Sequence, residues 1–371
     1  MSKTHHRATT PFRRLYTACA VAACFAATGM VHAAGWTVGP NMTNVRAGAG
    51  SITLADGRVM LVGGMDARRS AFAYYTADIY NPSTNTWTQT GYSNASHYLP
   101  GIALLQNGKV LIAGGLGASG IEPTAEVYNP ANNTWAIVPS LSQSRWAHTL
   151  TTLQNGDVLA VGGVITNGTP QTTVERYNPT TNTWTLAAPL AVGRRDHAAT
   201  LLADGRVLIS GGEGVGWVRL QSAEIYDPAT NTWSAASPMT VVRSYHTSTR
   251  LSNGDVLVVG GAGNNGPITG TERYSPSTNS WSSAGTLAVA RQQHAALTLP
   301  SGKVLVAGGT PSANSTAQVY DPASGAWSSA GNMPQGRSLP GAAVDGTGKV
   351  VIAGGTNSAY VRLSSTDFYT E

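Results

Sequence analysis

Two residue types capable of chemistry recur along this chain in one fixed spacing. Arg46, His97, Arg145, Arg194, Arg243, Arg291 and Arg337 come at regular intervals, and three positions after each stand Ala49, Pro100, His148, His197, His246, His294 and Pro340. Imidazoles at equivalent places could ligate zinc or copper through a ring nitrogen, so His148, His197, His246 and His294 are the candidate metal ligands. The arginines are more regular still. A side chain kept in nearly every copy of a unit ordinarily serves the unit, here by satisfying buried carbonyls expected in its neighbour.

The two positions between each such pair vary, and variation is where an asymmetric ligand would be read. Tyr98, Trp146, Arg195, Asp196 and Tyr245 fall there, next to Arg243. Aromatic rings beside a guanidinium and a carboxylate suit a sugar: the rings stack on C–H faces while the charged groups fork onto hydroxyls. Arg68 and Tyr75, with Arg69 and Tyr74, extend this set after Gly64, and Trp217 and Arg219 hold the equivalent loop three units later. Solvated surface is the plainer reading of such loops. The chain carries no nucleophile elbow, phosphate loop or zinc-protease helix motif.

These positions need a repeated scaffold. Gly-Gly pairs fall at 63–64, 114–115, 162–163, 211–212, 260–261, 308–309 and 354–355. A tyrosine follows each (Tyr80, Tyr128, Tyr177, Tyr226, Tyr274, Tyr320, Tyr369), and a tryptophan follows the first six tyrosines by seven residues. Within the third unit, His148 to Leu153 reads as a strand and Asn155-Gly156 as a type I′ hairpin turn. Asp157 to Val161 then reads as a strand buried on both faces. Val174 to Asn178 and the segment from Trp184 supply two more.

Four strands per unit, a Gly-Gly doublet and spaced Tyr and Trp resemble the Kelch repeat, whose fold is the all-β propeller. The resemblance covers about residues 35–371 and implies seven blades. The last unit has no Trp, while Gly35-Trp36-Thr37-Val38 matches the fourth strands of other units, so this strand is expected to complete the last blade and leave no open edge. Arg243-Ser244-Tyr245-His246 is similar to the copper-ligand Tyr-His pair of the galactose oxidase family, which would make Tyr245 and His246 copper ligands. That family also requires a Cys-linked second Tyr and a His from another domain.

Residues 1–33 read as a secretory signal peptide: a basic start, an apolar stretch from Leu15 to Val31, and small residues at Val31-His32-Ala33. Arg13-Arg14 and Cys24 leave twin-arginine export and lipidation as alternatives. The segment holds four of the 23 basic residues, none of the 18 acidic ones, and both cysteines. The remaining 34–371 is therefore nearly neutral and thiol-free, which argues against nucleic-acid binding and against a disulfide framework. The expectation is a secreted or periplasmic monomer with no membrane span and no required cofactor, binding a glycan or an extracellular protein at the channel mouth. A galactose-oxidase-like or sugar-isomerising enzyme is the alternative, and a surface scaffold the third reading.

Overall fold

The computed structural model describes residues 35–65 and 74–371. The expected signal peptide 1–33, and Arg68 and Arg69, lie outside the described residues.

The chain forms seven four-stranded antiparallel sheets arranged as a propeller. Each blade begins with an inner strand rich in small residues, such as Gly50–Thr53, Thr149–Thr152 and Ala198–Leu201. These strands contact one another in cyclic order around the axis. Small side chains are what such crowding permits: a Cβ on Gly101, the first residue of inner strand Gly101–Leu104, would stand 2.5 Å from Leu150 Cγ in the adjoining blade. Second strands such as Val59–Val62, Val158–Val161 and Val256–Val259 are apolar and wholly buried. The core is thus seven wedges between adjacent blades, one of which joins Val59, Leu61 and Tyr80 of blade 1 to Val351 and Phe368 of blade 7. No helix among the described residues is long and apolar enough to cross a membrane.

The N-terminal strand closes the ring as expected. Gly35–Val38 pairs with Thr366–Thr370, placing Trp36 opposite Tyr369 just as Trp135 stands opposite Tyr128 elsewhere. The Trp36 indole N–H donates to the Ala330 carbonyl of the preceding blade at 2.7 Å, the bond made by Trp233 to Ala188 and Trp281 to Ser237.

The hairpin turns differ from expectation. Asn155 is not left-handed; only Gly156 is, at φ 89°. The loop is a turn over Gln154-Asn155 followed by a left-handed glycine, and Asn155 Oδ1 accepts the Asp157 N–H at 3.1 Å. An asparagine side chain that caps the turn removes the need for a second positive φ.

The Gly-Gly doublets hold blade to blade. A Cβ on Gly162 would lie 2.5 Å from the Arg194 carbonyl of the next blade, so no side chain fits. The N–H of Gly163 donates to that same carbonyl at 2.9 Å, and Gly355 does the same to Arg46 across the closure at 2.8 Å.

Candidate functional site

The repeated arginines are structural, and they bond within their own blade rather than the neighbouring one. Arg194 is fully buried; its Nη1 donates to the Gly211 and Ser222 carbonyls and its Nη2 pairs with Glu224 at 2.7 Å. Arg243, a candidate ligand contact, has the same fate: it is buried, donates to the Gly260 carbonyl and pairs with Glu272 at 2.5 Å. Arg46, Arg145 and Arg337 pair likewise with Asp78, Glu175 and Asp367. Burial lowers the pKa of these guanidiniums while the paired carboxylates oppose the shift. The acids also cap loop N–H groups, as Glu224 does for Ala191 and Val192. The sequence carries a regular trace of them, an acid two residues before each blade tyrosine, interrupted only by Gln318. Blade 6 therefore leaves Arg291 without a carboxylate, and burial pulls it down to about 10.

The four histidines are buried against neighbouring inner strands. His197 Nε2 lies 3.0 Å from Thr149 Oγ1 and His294 Nε2 2.9 Å from Thr247 Oγ1, both in the preceding blade. His246 Nε2 meets Ser210 Oγ of the preceding blade instead, at 3.1 Å. His148 faces Gly101; the Ala113 carbonyl lies near its ring but outside ordinary hydrogen-bond geometry. Burial, reinforced by the adjacent arginines, lowers His148, His197 and His294 to about 3 and His246 well below its ordinary value. They are neutral imidazoles serving blade contacts. Among the described residues no three His, Cys, Asp or Glu side chains converge on a point where a metal would sit. The candidate zinc or copper ligands are thus not brought together among the described residues. Tyr245 and His246 do not fit a copper centre either, since His246 Nε2 is engaged by Ser210 and positions 34–371 hold no thiol.

Between arginine and histidine lies the collar that builds the mouth. Leu99, Ala147, Asp196, Tyr245, Gln293 and Leu339 all adopt a left-handed backbone with φ between 50° and 55°, and Gly48 joins them at 66°. Such a conformation costs a non-glycine residue about 1–2 kcal/mol. Each is held by its neighbours: the N–H of Tyr245 donates to the Asp196 carbonyl at 3.1 Å, Gln293 to Tyr245 at 3.2 Å, and Leu339 to Gln293 at 3.0 Å. The collar residues line a central opening of about 270 Å³.

On one side of this opening the variable residues come together. The Arg195 guanidinium lies over two indoles, 3.7 Å from the Trp217 ring centroid and 5.8 Å from that of Trp146. Its Nη2 pairs with Glu213 at 2.7 Å and its Nε reaches Asp196 at 3.6 Å. Ser244 Oγ donates to Glu213 at 3.2 Å. Burial raises Asp196 to about 7; Arg195 pulls the other way, while Glu213 adds to the rise. Burial and the same two carboxylates raise Tyr245. Trp217 is 64% exposed. Tyr98 lies on the other side, lining a second cavity beyond Leu339. Tyr75 lines neither cavity. Sequence reading missed Glu213, which strand pairing places directly opposite Arg195.

Comparison with known proteins came to the same fold. The family model of the KLHDC2/KLHL20/DRC7 Kelch-repeats domain matches residues 147–355, and the Kelch motif matches residues 103–142. No curated protein matches the chain. Among solved structures, a fungal alcohol oxidase described as having catalytic diversity among the AA5 family, in complex with copper, is similar with a TM-score of 0.74. It shares 17% identity over 91% of this chain and 76% of its own, a likeness of fold.

Proposed function

The chain belongs to the Kelch-repeat family of β-propellers, and from that premise we propose that it is an exported, non-catalytic module that binds a saccharide at its channel mouth. The observation that supports this reading is the Trp146–Arg195–Trp217 stack beside the central opening. An exposed indole whose underside is fixed by a guanidinium offers a rigid apolar face at small entropic cost, and sugars present C–H faces to such rings. Around it, Asp196 and the Tyr245 hydroxyl supply an acceptor and a donor for ring hydroxyls, while Glu213 holds Arg195 in place. Arg195 and Glu213 are already paired with each other, which favours recognition over acid–base turnover.

The test is a glycan array probed with residues 34–371 and with the Trp217→Ala variant. Binding of one saccharide class is expected, weakened about tenfold or more in the variant, with an unchanged melting temperature because the side chain is mostly exposed. An array without signal, or equal signal from both proteins, would overturn the reading.

A further inference from the structure

Blades 4 and 7 carry the same loop with opposite contents. Gly214 to Arg219 and Asn357 to Arg362 follow their Gly-Gly pairs at the same offset and close the same way. Gly214 N–H donates to the Val218 carbonyl at 2.8 Å, and Asn357 N–H to the Val361 carbonyl at 2.9 Å. Each presents a left-handed aromatic, then valine, then arginine: Trp217-Val218-Arg219 at φ 63° and Tyr360-Val361-Arg362 at φ 59°. In blade 4 the space below the aromatic is filled by Arg195, and Arg219 faces the Glu213 carboxylate at 3.8 Å. In blade 7 the residues at those two positions are Ser338 and Thr356.

The exchange of two long charged side chains for two short neutral ones opens a cavity of about 510 Å³, lined by Met65, Tyr98, Leu339, Thr356, Tyr360 and Arg362. That volume lies within the range of roughly 300–1,000 Å³ typical of small-molecule sites. Arg362 is half-buried, and among the described residues no carboxylate lies within ion-pair distance of it; its Nη2 has only the Met65 sulfur, a weak acceptor, at 3.4 Å. Its charge is nonetheless felt in the cavity, where it opposes the rise that burial imposes on the Tyr98 phenol. Tyr360 is 86% exposed above it.

We propose that this blade-7 cavity is an acid subsite of the mouth, taking the carboxylate of an anionic saccharide, a uronate. The inference rests on the saccharide reading of the mouth and names the class of sugar. Blade 4 shows the loop with its carboxylate supplied internally by Glu213; in blade 7 the ligand supplies it. The guanidinium of Arg362 forks onto the two carboxylate oxygens, and the Tyr360 and Tyr98 rings hold the pyranose.

Titration calorimetry on residues 34–371 with trigalacturonate and with its neutral methyl ester tests this. The acid should bind about tenfold or more tightly than the ester. Arg362→Gln should remove that preference while leaving ester binding unchanged. Thr356→Glu, which rebuilds the blade-4 arrangement, should expel the acid by occupying Arg362 internally, and a retained melting temperature shows that both variants fold. Equal affinity for acid and ester, or an Arg362→Gln variant that keeps the preference, overturns the acid subsite while the saccharide reading of the mouth stands. Failure of both sugars overturns the acid subsite, and the glycan array decides the saccharide reading of the mouth separately. Arg362-dependent binding of a peptide through its terminal carboxylate, with neither sugar bound, replaces the saccharide class by a peptide.

Discussion

Acidification from pH 7.5 to 5.5 should destabilise this propeller through its buried histidines. His148, His197, His246 and His294 are buried and neutral, with pKa values of about 3 or lowered well below the ordinary value. A histidine whose folded pKa is depressed contributes stability above its unfolded pKa of about 6.5, and that stability is lost as pH falls toward the folded value. Across this window the uptake on unfolding rises from about 0.1 to about 0.9 proton per imidazole, a loss of about 1.4 kcal/mol apiece and about 5.5 kcal/mol for the four. The figure depends little on the folded pKa as long as that lies below about 4.5. Asp196 acts in the other direction. Its folded pKa is raised to about 7, so it regains stability on acidification, about 2 kcal/mol over the same range. The net loss is about 3–4 kcal/mol. Urea midpoints at constant ionic strength, converted with a constant m value, measure it. His197→Gln removes one titrating ring and should shrink the pH-dependent loss by about 1.4 kcal/mol. A net loss below about 1 kcal/mol, or a His197→Gln variant with the wild-type pH dependence, would refute the burial of neutral imidazoles at the blade contacts.

Other perturbations test the scaffold and the mouth. Trp36→Ala empties the contact with Tyr369 and breaks the bond to Ala330, and should cost about 3–5 kcal/mol; a melting temperature within a degree or two of wild type would contradict closure by the first strand. Gln318→Glu gives Arg291 the partner its counterparts have and should raise stability by about 1–2 kcal/mol in urea melts, whereas destabilisation would show that blade 6 cannot close on an ion pair. Gly162→Ala drives a methyl into the Arg194 carbonyl from a left-handed backbone and should cost more than about 2 kcal/mol or abolish soluble expression; a neutral effect would mean the doublet is not an inter-blade contact.

The propeller was legible because each blade repeats the same physical necessities. Gly-Gly marks a backbone approach that excludes any side chain, and Tyr and Trp mark ring contacts at 5.0–5.4 Å that recur in every blade. Trp36 could be assigned to the last blade because its flanking residues match the other outer strands. The arginine half of the buried ion pairs was legible too, but not the direction of its bonds, since spacing alone does not say which blade an arginine crosses. The collar was hidden. Its left-handed positions hold Leu, Ala, Asp, Tyr and Gln, residue types that do not announce a positive φ, and only the circumferential hydrogen bonds explain them. Trp146, Arg195, Asp196 and Tyr245, marked by their place in the repeat, lie near one another at the opening. The pairing of Arg195 with Glu213 was not foreseen, because it depends on two strand ends meeting across a loop. Arg362 is not marked by its sequence, since what distinguishes it from Arg219 is Thr356 at the position where blade 4 has Glu213.

The most direct measurement is a crystal structure of residues 34–371 grown with the saccharide that gives the strongest array signal. A sugar ring seated at the mouth, against Trp217 or between Tyr98 and Tyr360, is the predicted result. A sugar bound on the opposite face or on the outer strands, with the mouth vacant, would contradict the assignment of function to the collar and its variable residues.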